Sequence, residues 1–272
     1  MGKFTGVLLA SDYDDTLYDR NGAISPENRE AIDRFLREGG RFTVSTGRSY
    51  RNFVIQMELE KLPVNAPVIL SNGASIHDFS TGETLWEKTL PASTAHRLEQ
   101  VCRAFPSVGF EAYHGEEVYT FRANAATAWH LKRCRLTGIP RPIREMPAPW
   151  LKVILQDEEP ERLRQVRLWL LDRWGAELEA TLSNPYLLEV TAAGANKGLC
   201  VKWVADRLGV RPENLYCVGN GINDISMLEV SAVPYAPADC YREVRDMGAV
   251  LLPPCNESTV AALIRELEGR YP

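Results

Sequence analysis

The chain has 272 residues, 45% hydrophobic and 25% charged, enough for a sizeable core and for two domains. Its 31 Lys and Arg against 36 Asp and Glu leave a formal net charge of −5 with no dense basic run, which argues against a nucleic-acid or anionic-membrane partner. No stretch of about 18 consecutive apolar residues is present to span a bilayer, and the first apolar run is too short for a secretory signal, so a cytoplasmic location is expected.

The segment GVLLAS reads as a short buried strand that delivers Asp12 at its carboxyl end. Asp14 and Asp15 follow at once, a cluster of charge that is costly without a cation, unless it is only a solvated turn. Ser25-Pro26 opens a helix in which Ile32, Phe35 and Leu36 recur at helical spacing, and Gly39-Gly40 ends it. RFTVSTGRS is a second strand ending in Ser45, Thr46, Gly47 and Arg48. PVILSNGAS repeats that form with Ser71, Asn72 and Gly73. Strands that end in polar loops, with helices between them, predict a doubly wound parallel α/β sheet of the Rossmann-like kind. Ligands of such sheets bind at the carboxyl ends of the strands.

From about residue 83 the pattern changes. Leu98, Val101, Cys102 and Phe105 mark a helix, GFEAYHGEEVYTFRA reads as two strands around a turn, and NAATAWHLKRCRLTG as another helix. WLKVILQD is then a strand, and Leu163, Val166, Leu170 and Trp174 lie on a helix that stops at Gly175. Residues 92–185 are therefore expected to form an inserted α+β cap, with 1–91 and 186–272 forming the core. In the cap, Tyr113, His114 and Tyr119 read mainly as hairpin packing, Trp169 and Trp174 as core, and the facing of Lys152 is open. After EVTAAGANKG the first style returns. Val201, Val204, Ala205 and Leu208 share a helix face, NLYCVGNGINDISML is strand, loop and helix, and STVAALIREL is a last helix. Six scattered cysteines without a CxxC pair, and four histidines without a local motif, argue for reduced thiols and against zinc.

Four segments thus aim small polar groups at one sheet edge: Asp12 and Asp14 with Thr16, Ser45 to Arg48, Lys197 before a helix, and Asn223 with Asp224. Carboxylates two residues apart on a segment that then bends can share a hard cation such as Mg²⁺. Phosphoryl transfer needs a nucleophile, a metal, donors for phosphate oxygens and an acid for the leaving group.

DYDDTL, STGR, SNGA, NKG and GNGIND, in this order, resemble the haloacid dehalogenase superfamily of aspartate-nucleophile phosphatases, and more narrowly the Cof-type sugar phosphatases, whose cap lies between the second and third motifs. The resemblance spans nearly the whole chain. It implies that Asp12 forms an aspartyl-phosphate and that Asp14, with its pKa raised, is the general acid. It further implies that Thr46 and Lys197 bind phosphate oxygens, and that Asp12, the Asp14 carbonyl and Asn220 hold Mg²⁺. By the same resemblance, Asn223 reaches phosphate or a metal-bound water and Asp224 orients the metal shell and Lys197. Gly47, Arg48, Asn72 and Gly73 would shape the loops that meet the cap, Arg48 either on substrate or in a salt bridge with the cap or with Glu residues.

Two positions depart from the family pattern. Asn220 stands where a metal-binding Asp is usual, and Pro237 where an Asn helps fix the fourth loop. The expected partner is a small phosphorylated metabolite and the expected activity Mg²⁺-dependent phosphatase, with weakened metal affinity. The alternatives are a sugar-phosphate-binding or regulatory protein and, behind it, a phosphomutase.

Overall fold

The computed structural model describes residues 2–271, and its first strand, β1 (Leu8–Ser11), is buried at every position. Ser25 caps α1 (Pro26–Arg37) by accepting from the Asn28 N–H at 3.1 Å, and Pro26 sits where its missing N–H costs nothing. β2 (Arg41–Val44), α2 (Tyr50–Glu60) and β3 (Val68–Leu70) follow, then β4 (Ser75–Asp78) and β5 (Glu83–Glu87). Next come α3 (Thr94–Ala104), the hairpin of β6 (Gly109–His114) and β7 (Glu117–Phe121), and α4 (Ala125–Cys134) behind an Asn124 capping box. β8 (Gly138–Pro140), β9 (Lys152–Gln156), α5 (Pro160–Trp174), β10 (Leu178–Asn184) and β11 (Leu187–Ala192) complete the insertion. The chain ends through α6 (Lys197–Arg207), β12 (Leu215–Val218), α7 (Ile225–Glu229), β13 (Pro234–Pro237), α8 (Arg242–Asp246), β14 (Val250–Leu252) and α9 (Thr259–Arg270).

Among the described residues β14, β13, β12, β1 and β2 lie side by side in that order, all parallel. Strand alternation divides the core between two faces. Leu9, Val44, Tyr216 and Val218 pack with Ile32, Phe35, Leu263 and Ile264 of α1 and α9 on one. Leu8, Ala10, Leu215 and Cys217 pack with Cys200, Val201, Met227 and Val244 on the other. Helices on both faces give the doubly wound α/β sheet that the sequence predicts. Strand order reverses between β1 and β12, and the carboxyl ends at that reversal open a crevice. Asp12 enters it with its N–H bonded to Val218 O at 2.8 Å.

β3 meets the expectation of a third parallel strand only at its edge: it runs parallel to the residues after β2 through a Ser45–Ile69 bridge, with the Thr46 N–H on Ile69 O at 2.9 Å, and it pairs antiparallel with β4, which pairs with β5. The SNGA turn reverses the chain too tightly for a helical crossover, so β3 also opens a small antiparallel sheet.

The second sheet runs β10, β11, β9, β6, β7, β8, antiparallel except between β7 and β8. α3 and α5 cover one face through Leu98, Val101, Leu163, Val166 and Leu170, and Tyr119, Trp169 and Trp174 join this core. The opposite face presents Tyr113 beside Lys152, and Ile154 between Glu111 and Glu189, toward the parallel sheet. A boundary at 185/186 cuts this sheet. β11 lies between β10 and β9, so the second arm of that hairpin remains with the cap, where its backbone groups find ladder partners. Among the described residues no helix is long and apolar enough to cross a membrane.

Gly73 joins the β3–β4 turn to α6. It has φ +95°, and a Cβ there would lie 2.5 Å from the carbonyl oxygen of Asn196, the residue that caps α6 just before Lys197. Gly73→Ala is expected to cost about 1–3 kcal/mol of stability, read as a lowered urea midpoint at unchanged slope.

Candidate active site

The site is built around one buried cation. Lys197, the first residue of α6, places its ammonium 2.6 Å from Asp12 Oδ1 and 2.5 Å from Asp224 Oδ1. All three residues are buried. The second Asp224 oxygen accepts the N–H groups of Asn220 at 3.0 Å and Gly221 at 2.8 Å, so the turn after β12 is fastened to the same cation. The second Asp12 oxygen faces the Thr16 hydroxyl at 3.3 Å, and that hydroxyl is 3.1 Å from Asn220 Oδ1. Burial, with the neighbouring Asp224 charge, pushes the Asp12 carboxyl up to about 7 against the pull of Lys197. Burial opposes the Lys197 charge too, yet Asp12 and Asp224 hold the ammonium above its ordinary range. The Tyr241 N–H donates to Asn220 O at 2.9 Å, fixing the fourth loop, while Pro237 lies in β13 opposite Leu252.

Asp14 is turned toward a different partner. Arg48 grips it with two hydrogen bonds, Nε to Oδ2 at 2.8 Å and a terminal nitrogen to Oδ1 at 2.7 Å. The other terminal nitrogen donates to Asn52 Oδ1 at 2.9 Å, and the guanidinium lies 5.0 Å from the centre of the Tyr13 ring. Burial works to raise the Asp14 pKa, but the Arg48 hydrogen bonds and charge, with Arg133 and Lys197 behind them, leave it below the ordinary carboxylate range. This corrects the expectation for an acid near neutrality: in this conformation Arg48 keeps Asp14 ionised. It also assigns Arg48 to a salt bridge, with Asp14 of the core in place of the expected cap or glutamate partner.

The cap reaches the STGR loop through Lys152, which faces the site. Its ammonium donates to Gly47 O at 2.7 Å and to Glu189 Oε2 at 2.9 Å, and lies 4.6 Å from the Tyr113 ring centre. A cavity of about 340 Å³ lies between the layers, lined by Asp12, Asp14, Thr46 and Asn220 from the core and by Tyr113, Trp129 and Tyr186 from the cap. Trp129 and Tyr186 are 46% and 44% exposed, large apolar surfaces left open beside charged groups.

Asp12, Asn220, Lys197 and Asp224 therefore converge, and Thr46 stands on the cavity wall with its hydroxyl accepting from Arg48 N at 3.2 Å. Lys197 backs Asp12 from within the protein. Gly47 meets the cap as expected, since a Cβ there would lie 3.1 Å from Glu189 Oε1. Gly73 meets the core instead, abutting Asn196, while Asn72 accepts from Asn223 Nδ2 at 3.0 Å and lines a cavity with Glu189 and Thr191 of the cap. His114 points to Pro149 O, at 2.8 Å. The sequence did not single out Glu189, Glu111 or His130; the Glu111–His130 and Lys152–Glu189 pairs join positions 19 and 37 apart in the chain. Strand alternation marks Glu111 and Glu189 only once the register of β6, β9 and β11 is known.

Removing the Lys197 ammonium strands two buried carboxylates. Lys197→Met is expected to lose about 3–5 kcal/mol in urea unfolding near neutral pH. Part of that loss should return near pH 5, where the carboxyls can bind protons. In the cap, burial works to lower His130, but Cys134 and Glu111 raise it to about 10 from 6.5. A raised folded-state value stabilises fully below pH 6.5 and fades as pH climbs to about 10. The melting temperature should fall across that window, and His130→Gln should flatten the fall.

Comparison with known proteins agrees with this geometry. The sequence pattern of the haloacid dehalogenase-like hydrolases matches residues 9–264. The 5-amino-6-(5-phospho-D-ribitylamino)uracil phosphatase YwtE of Bacillus subtilis (strain 168) is 27% identical, over 97% of this chain and 99% of its own length. A second phosphatase from that organism with the same substrate name, YcsE, is also 27% identical, over 95% of this chain and 94% of its own. In fold, the chain resembles a haloacid dehalogenase-like hydrolase from Bacteroides thetaiotaomicron with a TM-score of 0.81 at 22% identity, covering 96% of this chain and 99% of that one. The subclass IIB sugar phosphatase BT4131 also gives a TM-score of 0.81, at 18% identity, with the same coverage. With the family pattern spanning the parallel sheet, the inserted cap and every loop of the Lys197 cluster, the chain belongs to the haloacid dehalogenase-like hydrolases.

Proposed function

We propose that the protein is a Mg²⁺-dependent phosphatase that hydrolyses a small phosphorylated metabolite, a sugar phosphate by class, through an aspartyl-phosphate on Asp12. The observation that carries this reading is Asp12 at the strand-order reversal, one oxygen fixed by buried Lys197 and the other turned to the Thr16–Asn220 side of the cavity. In the reaction Asp12 attacks phosphorus, the bond to the leaving oxygen breaks, and Asp14 protonates that oxygen. Water then attacks the aspartyl-phosphate while Asp14 takes the proton back. Asp14 must first leave Arg48, take up a proton from solvent and turn to the leaving oxygen, and its side chain, 32% exposed, is open to that exchange. The Thr46 hydroxyl and the Lys197 charge serve the phosphate oxygens.

The donors available to a cation are Asp12, Asn220 and the Asp14 carbonyl, all oxygen, as Mg²⁺ requires. Asp12 and Asn220 already flank one hydroxyl, so the residues fit the ion, with one carboxylate fewer than the family pattern. When bound, Mg²⁺ supplies positive charge against the phosphate. The named relatives act on a phosphorylated ribityl chain joined to a uracil ring, which supports a phosphosugar or phosphopolyol. Exposed Trp129 and Tyr186 offer flat apolar contact to its remainder. The partner is thus a small soluble metabolite, and the cytoplasm the compartment. Asn220, together with Arg48 on both Asp14 oxygens, favours the second reading, a sugar-phosphate-binding or regulatory protein with weakened catalysis.

Phosphate release from an aryl phosphate and a panel of sugar phosphates across a Mg²⁺ titration separates the readings. The wild type should turn over, Asp12→Asn should fall by about 10³-fold or more, and Asn220→Asp should lower the Mg²⁺ midpoint. Turnover by Asn220→Asp alone would favour the binding reading. Substantial activity in Asp12→Asn would sink the covalent mechanism, and transfer to an added sugar in place of water would mark a phosphomutase.

A further inference from the structure

A second reactive cluster lies in the cap. His130 and Cys134 are four residues apart on α4 and share one helix face, with Cys134 Sγ 3.4 Å from His130 Nε2. On its other side the ring faces Glu111, with Nδ1 at 2.9 Å and 3.0 Å from the two carboxylate oxygens. Glu111 is completely buried and fixed by the Tyr113 hydroxyl at 2.7 Å and Gln156 Nε2 at 2.6 Å. Gln156 is held in turn by the Thr127 hydroxyl at 2.7 Å. The imidazole is thus oriented with Nδ1–H on a carboxylate and Nε2 aimed at sulfur. A nucleophile, a base and a group that orients the base are all present.

Cys134 also differs from the other cysteines. Cys102, Cys200, Cys217, Cys240 and Cys255 are buried, and burial pushes Cys102 and Cys255 up to about 11 and Cys200 up to about 12. Cys134 is half-buried, and with His130 it lines the cavity that holds Asp12 and Asp14. Arg48 and Arg133 line the same cavity, Arg48 already paired with Asp14 and Arg133 preceding the sulfur on α4. Glu111 on β6 and Asp14 of the core act against an anion there, as does the carboxyl end of α4. His130, raised by its two partners despite burial, supplies a proton-bearing ring in contact with the sulfur.

We propose that Cys134 is a nucleophilic thiol, paired as thiolate with the His130 imidazolium, that reacts with small hydroperoxides entering this cavity and forms a modification site inside it. The thiolate sulfur attacks one peroxide oxygen, the O–O bond breaks, and sulfur is oxidised by two electrons to sulfenic acid. The departing hydroxide (or alkoxide) takes the Nε2 proton of His130 and leaves as water (or alcohol), so the peroxide is reduced and charge balances. Among the described residues no other cysteine lines the cavity, so the sulfenic acid has no neighbouring thiol with which to close a disulfide. The proposal goes beyond hydrolysis, and labelling can be read without any phosphatase assay.

The full-length protein is treated with hydrogen peroxide and a dimedone probe, or with iodoacetamide alone, and each cysteine is followed by peptide mass spectrometry. Dimedone should mark Cys134 and no other cysteine, and iodoacetamide should modify Cys134 about 100-fold faster than any buried cysteine and faster than glutathione under the same conditions. His130→Gln should slow Cys134 at least about tenfold, and Cys134→Ser should remove the label. A Cys134 slower than glutathione in the wild type, or equally fast in a folded His130→Gln, overturns the proposal. If His130→Gln unfolds, shown by labelling of all the buried cysteines, the comparison with glutathione decides.

Discussion

The Lys197 ammonium is the constraint on which the site depends. Asp12 and Asp224 are buried carboxylates, and a buried charge without a partner costs several kcal/mol, so neither loop could hold its position without the cation. The dependence is mutual, because the ammonium has lost its water as well. Three segments far apart in the chain are thereby tied at one point: the end of β1, the start of α6 and the turn after β12. The position works against local preference. A lysine in the first turn of a helix faces the positive end of the macrodipole, and two carboxylates are needed to reverse that penalty. A residue that is locally unfavourable and globally indispensable is what a functional site is expected to contain.

The cap is held to this centre by polar contacts. Lys152 and Glu189 form a buried pair against the Gly47 carbonyl, and Arg133 meets Asp15 at 3.2 Å across the cavity mouth. Gly47 keeps the approach close, because the Glu189 carboxylate occupies the space a side chain would need. The buried apolar clusters of cap and core are separate, and Ile222 of the loop after β12 is the core side chain packed against the cap cluster, so opening the cap gives up that contact together with these ion pairs. A cap attached this way can move for substrate entry while its own sheet stays intact.

What could be read in the sequence divides along the same line. The parallel sheet and the Asp12, Thr46, Lys197 and Asp224 positions were legible because each is a polar group ending a short apolar strand or opening a helix, a signal within a few residues. The β10–β11 hairpin was not. LLEVTA is buried throughout, so its local pattern does not separate it from the core expected to resume at residue 186. Glu111 with His130, and Lys152 with Glu189, depend on strand register and helix crossing, which no local pattern records. Asp14 was placed in the correct loop, but its ionisation is set by Arg48, 34 positions away, whose two-point grip could not be inferred from STGR.

Asn220 is better understood as a change in charge balance than as a missing ligand. Asp12, Asp14 and Asp224 face Lys197 and Arg48, with Arg133 3.9 Å from Asp14. A fourth carboxylate at position 220 would make the empty cavity more anionic and would repel an incoming phosphate dianion. At about 5 Å and an effective dielectric constant of about 20, one such charge is worth about 3 kcal/mol. The amide removes that repulsion and with it part of the attraction for a divalent cation. On the proposed function, Asn220 would shift the site from one that must bind metal before phosphate toward one that tolerates phosphate with less metal help. Both the hydrolytic and the binding reading follow from that single exchange, and the Mg²⁺ dependence of turnover distinguishes them.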